Sequence, residues 1–358
     1  MNPKRALALL LFCALSVSAL SQEKTFPIDG IVLDKTGQPL AGASVFCQNT
    51  TIGTLSKSDG GFHLRLANGG YDLVISYTGY ETQIIRISKD HKGTDTLKIE
   101  LKEQDKSLEQ AVVTGSAEVA DGWEKYGQFF LENFIGTTPN ASQCTLDNKE
   151  VLKFYFYKKR NKLRVKATDP LIVTNNALGY RIKYQLDSFV YDYTGNIGSY
   201  TGYPLFENLD GSPDQQQTWK QNRLYSYSGS RLHFIRSWYD STLADEGYVL
   251  EMVTGSGQMQ RVEDPYDPKL YSRDSGDVEI DIQGRLRVSY TSQAPDKKYL
   301  MQNKFPLTTA AQISALDIVN GFVIEENGYF YDQGDVSNIG YWSYKKLAEL
   351  LPYDYLPE

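Results

Sequence analysis

The chain has 358 residues, of which 41% are hydrophobic and 23% charged, enough to bury more than one core. Its formal net charge is −7, from 37 Lys plus Arg against 44 Asp plus Glu. That balance argues against nucleic-acid binding, which needs clustered cations opposite phosphate.

Residues 1–21 read as a signal peptide. Lys4 and Arg5 precede an apolar stretch at 6–14, and Ala19-Leu20-Ser21 offers small residues at cleavage spacing. The stretch is too short to span a bilayer, and no later segment is long and apolar enough. Cys13 follows Leu11-Phe12 rather than the small residue that a lipoprotein signal wants. The expected product starts near Gln22, without lipid or transmembrane segment, in the periplasm or at the outer membrane. Losing two positive and no negative charges takes it from −7 to −9.

Residues 24–102 alternate short apolar strands with Gly, Pro and Asp turns. Phe62, Leu64 and Leu66 alternate with polar residues, as do Tyr71, Leu73, Ile75 and Tyr77. Each strand thus has one buried face, and the pattern predicts a two-sheet sandwich that closes on itself. The landmarks are Gly30-Ile31-Val32-Leu33-Asp34, Gly37-Gln38-Pro39-Leu40-Ala41-Gly42-Ala43-Ser44-Val45, Ser58-Asp59-Gly60-Gly61-Phe62 and Ser76-Tyr77-Thr78-Gly79-Tyr80. This segment resembles the carboxypeptidase-regulatory-like domain, a transthyretin-like seven-strand sandwich. The resemblance implies a binding or spacing role. That domain accompanies metallocarboxypeptidases without doing their chemistry, so no carboxypeptidase activity is expected.

Residues 103–122 read as a linker. Within it, Ser107-Leu108-Glu109-Gln110-Ala111-Val112-Val113-Thr114-Gly115 resembles a segment of TonB-dependent outer-membrane receptors. Too few residues follow to build such a receptor's barrel. The segment reads either as a strand closing the sandwich or as a contact with an energy-transducing partner.

Residues 123–358 predict a β-rich α+β domain, making the chain mainly β. Trp123, Tyr126, Phe130 and Phe134 fall at helical spacing up to Gly136. A hairpin is predicted over 151–167 around Arg160-Asn161, then a long bulged strand over 180–193. Residues 195–222 read as a loop rich in Gly, Pro and Gln. A helix with the repeat Leu232, Ile235, Trp238 or Tyr239, and Leu243 follows, capped by Ser228 or Ser230, with Gly247 ending the turn after it. Strands are predicted at 248–253, 278–282, 286–290 and 321–325, and a short helix near 344–351. Phe134-Ile135-Gly136-Thr137-Thr138-Pro139, Asn176-Ala177-Leu178-Gly179-Tyr180, Gly229-Ser230-Arg231-Leu232-His233-Phe234 and Leu350-Leu351-Pro352-Tyr353 resemble exported regulatory-like-domain proteins of bacteria rich in TonB-dependent receptors. The resemblance implies an architecture and no particular chemistry.

Catalytic motifs are scarce. The three histidines, His63, His91 and His233, stand in no zinc-ligand spacing. There is neither a Gly-x-Ser-x-Gly elbow nor a phosphate loop, and no cofactor is expected. Asp274, Asp277, Glu279 and Asp281 could offer oxygens to calcium or simply form a strand's wet face. Asp95-Thr96-Leu97 and Asp240-Ser241-Thr242 resemble short bacterial O-glycosylation signals. Cys47 and Cys144 read as free thiols. Of 26 Tyr and 4 Trp, Tyr200, Tyr203 and Trp219 are the exposed stacking candidates. With His233 and Arg236, three apart on one helix face, they form the expected binding surface. Two functions stay open. One is a non-catalytic envelope module that binds a glycan or an outer-membrane protein. The other is a hydrolase using carboxylates among Asp192, Glu207, Asp240 and Glu246.

Overall fold

In the computed structural model, residues 25–88, 96–104, 118–255, 257–274 and 276–357 are described. The signal peptide with Cys13, the stretch 107–115, His91 and Asp95 lie outside the described residues.

Seven strands build the first unit: β1 (Phe26–Asp34), β2 (Ser44–Cys47), β3 (Gly53–Leu55), β4 (Gly61–Leu66), β5 (Tyr71–Ser76), β6 (Gln83–Ile87) and β7 (Leu97–Leu101). They form two facing sheets, ordered β4-β1-β7 and β3-β2-β5-β6. The period-2 pattern decides which side chains face inward. Ile28, Val32, Val45, Phe62, Leu64, Leu73, Ile75 and Ile99 fill the space between the sheets. Cys47 is buried among them as a free thiol. The sandwich expected from the turn spacing is present, and the chain is mainly β.

The second unit starts with α1 (Gly122–Phe134), whose Phe130 and Phe134 lie on a six-stranded sheet. Its strands are β8 (Cys144–Leu146), β9 (Leu152–Tyr157), β10 (Lys162–Ala167), β11 (Leu171–Asn175), β12 (Tyr180–Asp192) and β13 (Ile197–Asn208). The predicted hairpin is β9–β10, turned at Asn161 with φ 49°. The predicted bulge in β12 lies between Leu186 and Ser188. The region expected as a loop at 195–222 is instead β13 followed by α2 (Pro213–Tyr227). Ser212 explains the helix. Its hydroxyl accepts from the Gln215 N–H, the Gln215 side chain accepts from the Ser212 N–H, and Pro213 opens the first turn.

The third unit has its own core around Phe234, Trp238, Leu286, Leu316 and Phe322. Helix α3 (Arg231–Tyr239), capped by Ser230, packs there. The strands are β14 (Tyr248–Val253), β15 (Met259–Arg261), β16 (Tyr271–Asp274), β17 (Asp277–Ile280), β18 (Gly284–Tyr290), β19 (Gln312–Ile318), β20 (Phe322–Ile324) and β21 (Val336–Gly340). They pair as β15-β14-β18-β19-β21 and β16-β17-β20.

The three units are tied through hydrogen bonds, many of them to backbone groups. At one end of the sandwich, the turn after β2 reaches β13. The Asn49 N–H donates to the Pro204 carbonyl at 2.7 Å, and the Phe206 N–H donates to the Thr50 carbonyl at 2.9 Å. The next turn at that end meets the third unit. Asn327 Nδ2 donates to the Gly70 carbonyl and Tyr329 Oη to Asp72, both at 3.0 Å. Gly70 has no side chain there for a reason: a Cβ would sit 2.4 Å from the Tyr329 ring.

Residues 347–355 close the assembly. Leu347, Ala348 and Leu351 are buried in the second core. The Tyr353 N–H donates to the Asn49 carbonyl at 2.7 Å, and Asp354 accepts from the Thr51 N–H at 3.0 Å. From α3, Arg236 donates to the carbonyls of Asn327 (3.2 Å), Tyr353 (2.8 Å) and Tyr355 (2.8 Å). Its planar fork of donors suits three convergent acceptors. Arg236→Met is therefore expected to cost about 3 kcal/mol or more, since it leaves three carbonyls without a charged donor. Arg236→Lys should recover little of it. Urea unfolding of the three proteins checks this; a Lys variant as stable as the parent would contradict the clamp.

Candidate functional site

Between the end of α2, α3 and the turn that follows lies a cleft of about 260 Å³. His233, Asp240 and Glu246 line it, with the rings of Tyr227 and Tyr290. The sequence supplies this geometry locally. Ser230 starts α3 by accepting from the His233 N–H, and the chain turns at Ser241 and Gly247, both at positive φ. That turn swings Glu246 back against the first turn of the helix.

His233 is nearly buried and held at both nitrogens. Nδ1 accepts from the Gly229 N–H at 3.2 Å, and Nε2 lies 3.1 Å from Glu246 Oε2. The first contact requires a bare Nδ1, so the proton sits on Nε2 and points at the carboxylate. Burial holds the imidazole below its usual pKa, while Glu246 pulls the other way. Burial raises Asp240 above the usual carboxylate range, opposed by Arg273 and Arg236. The cleft thus presents a neutral imidazole and two carboxylates beside aromatic walls.

The five expected binding residues separate. His233 lines the cleft. Arg236 borders it, but it is 8% exposed and its donors are engaged by the three carbonyls. The expectation that Arg236 is part of the binding surface is corrected accordingly. Trp219 is not an exposed platform either. It is 7% exposed, donates Nε1 to the Asn176 carbonyl at 2.8 Å, and lies flat on Gly179, where a Cβ would be 2.2 Å from the ring. Gly179 also takes φ +69°, a region open mainly to glycine. Asn222 and Arg223 continue the row, donating to the Ala177 and Leu178 carbonyls at 2.8 and 2.7 Å. Tyr200 packs edge-on to Phe134 at 5.1 Å, facing the second core. Tyr203 is half-buried on the same strand.

The weighed carboxylates divide as well. Asp192 pairs with Lys162 at 3.0 Å and Glu207 with Lys183 at 2.6 Å, both on the sheet, whereas Asp240 and Glu246 share the cleft. Among the described residues, no group of three or more His, Cys, Asp or Glu side chains is placed to hold a metal ion. Asp274, Asp277 and Glu279 lie in the antiparallel pair β16–β17. No described helix is long and apolar enough to cross a membrane. Tyr227 and Tyr290 were not anticipated in the site; they come from different elements and carry no local signal.

Two outcomes follow. Trp219→Ala should lower stability by about 3 to 5 kcal/mol, as for a core aromatic. Thermal melts check it, and an unchanged melt would return Trp219 to the surface. The second outcome concerns pH. The folded pKa of His233 lies below the unfolded value near 6.5, so the unfolded chain takes up the proton first. Its contribution is fully present above that value and is lost as pH falls toward the folded pKa. Asp240 has the opposite sense, contributing at low pH and losing it as pH rises through its raised pKa. His233→Gln should flatten the decline in melting temperature between about pH 6.5 and pH 5. Parallel pH profiles for the two proteins would refute the assignment.

Comparison with known proteins matches residues 28–113 to the CarboxypepD_reg-like domain. The TonB-dependent receptor SusC of Bacteroides thetaiotaomicron is 34% identical over 105 residues, which cover 29% of this chain and 10% of the receptor. The TonB-dependent receptor P39 of Formosa agariphila is 37% identical over 111 residues, covering 31% of this chain and 10% of that one. The chain therefore matches about a tenth of the length of these relatives. Among solved structures, a 3-chlorocatechol 1,2-dioxygenase from Rhodococcus opacus overlaps 24% of this chain and 62% of its own, at TM-score 0.20 and 14% identity. A DUF3823 family protein from Bacteroides ovatus overlaps 52% of this chain and 83% of its own, at TM-score 0.19 and 10% identity. Residues 28–113 thus match the carboxypeptidase-regulatory-like domain, and the N-terminal part of the chain is similar to a segment of TonB-dependent receptors.

Proposed function

We propose that the chain is a non-catalytic, exported envelope module that binds an outer-membrane protein partner. The observation that carries this reading is the kinship of residues 28–113 with segments of TonB-dependent receptors. The docking of the sandwich supports it. The turn after β2 and the turn after β4 are both tied to the rest of the chain. Turns at 35–42, 57–60 and 77–81 lie at the other end and are largely exposed. Among the described residues, that end of the sandwich is left exposed.

A protein partner is favoured over a glycan because the aromatic rings are used internally. Trp219 and Tyr200 pack within the molecule instead of forming an open stacking platform. Under this reading, the surface spanning Tyr203 and the cleft of His233 is the contact region on the second and third units.

Purified protein should bind outer-membrane vesicles from the producing bacterium. Protease treatment of the vesicles should abolish binding, while enzymatic deglycosylation should leave it intact. Binding that survives proteolysis but not deglycosylation would overturn the protein-partner reading in favour of a glycan.

The hydrolase reading keeps one specific support, the placement of Asp240 and Glu246 in one cleft beside His233. Turnover of glycoside or ester substrates that Asp240→Asn abolishes would establish it against the binding reading.

A further inference from the structure

The outer edge of β13 is half covered. At its downstream end, the Pro204 carbonyl and the Phe206 N–H point away from β12 and meet Asn49 and Thr50 of the sandwich. Backbone groups alternate in direction along a strand. Those of Gly202, Tyr200 and Gly198 therefore face the same outer edge. The bulge adds its extra residue to β12, so the alternation along β13 is unbroken. Among the described residues, β13 pairs with β12 and with no other strand, and its stretch from Ile197 to Gly202 is left as a sheet edge.

This edge lacks the usual protection. Natural edges carry lysines, prolines, bulges or covering loops that discourage another strand. From Ile197 to Tyr203 there is no charge and no proline, and Ile197 is 66% exposed. Pro204, the first proline on the strand, lies where the sandwich loop already covers it.

The order of residues also matters. Ile197-Gly198-Ser199-Tyr200-Thr201-Gly202-Tyr203 reads nearly alike in both directions. A two-fold axis through Tyr200 would set Gly198 against Gly202 of a second copy, Ser199 against Thr201, and Ile197 against Tyr203. A two-fold interface must match a surface to itself; here Ser199 with Thr201 and Ile197 with Tyr203 are favourable cross-strand pairs, and Gly198 with Gly202 leaves the backbones unobstructed. Tyr200, Gly198 and Gly202 are the residues whose backbone groups face outward, so each would exchange both hydrogen bonds with its opposite number. The reach fits as well. A partner strand continuing past its Ile197 enters its own β12–β13 turn, where Asn196 takes φ 54°, and so leaves before the covered stretch at Pro204 and Phe206.

We propose that this chain forms a two-fold homodimer by antiparallel pairing of β13 with β13 of a second copy, centred on Tyr200. The proposal goes beyond the envelope-binding reading and does not need it. The six-stranded sheet would then run continuously through both protomers, with the two sandwiches flanking the junction.

Sedimentation or light scattering of the full chain measures the mass directly. The wild type is expected at twice the chain mass. Ser199→Lys with Thr201→Lys would face like charge across the axis twice, and Ser199→Glu with Thr201→Glu would do the same; each double variant should run at the single-chain mass. An equimolar mixture of the two should return to the double mass, because lysine then faces glutamate; this recovery also rules out misfolding as the cause. A monomeric wild type, a dimer indifferent to these charges, or a mixture that stays monomeric would overturn the proposal.

Discussion

Arg236 is the pivot of the molecule. A buried guanidinium is costly unless its donors are met. Here backbone carbonyls of Asn327, Tyr353 and Tyr355 meet them. This holds residues 353–355 against α3, and that segment in turn brings Tyr353 and Asp354 to Asn49 and Thr51 of the sandwich. That side chain thus links the rim of the cleft to the segment that seats the sandwich, beside the direct ties of the sandwich to β13 and to Asn327 and Tyr329.

The aromatic richness of the chain looks different once these contacts are in view. Tyrosines and phenylalanines are spent on edge-to-face contacts inside the units: Phe134 with Tyr184 and Tyr200, Tyr180 with Phe206, Phe234 with Tyr248. Such pairs combine large buried area with a preferred geometry. A domain with short strands and many turns gains well-defined packing from them. Tyrosine serves also where a hydroxyl must reach across a boundary, as Tyr329 does to Asp72 at 3.0 Å.

Period and punctuation made the local elements legible. Phe62, Leu64 and Leu66 announced β4 through alternation, and Trp123 to Phe134 announced α1 through helical spacing. Ser230 marked the start of α3 as capping rules require, whereas the helix stops at Tyr239, short of the Leu243 expected on it, and Gly247 closes the turn that follows. The loop expected at 195–222 failed for an identifiable reason. Its Gly, Pro and Gln content masked both the capping box at Ser212 and the strand before it. The exposure of Trp219 and Arg236 was not legible, because their partners are carbonyls of distant segments, and a carbonyl has no residue type. The cleft was half visible. His233, Asp240 and Glu246 stand within one stretch, whereas Tyr290 arrives from β18.

The bond between Thr51 and Asp354 joins residues 303 positions apart. During synthesis from the N-terminal side, the sandwich emerges long before its counterpart exists. Its turns at Asn49 and Gly70 must then remain solvated until the acceptors and donors at 327–355 arrive. Assembly of the seam is therefore a late event, because it joins parts far apart in the sequence. A molecule halted before that step would hold folded sheets yet expose the backbone of those turns, an opening through which a chaperone or a protease could tell unfinished copies from finished ones.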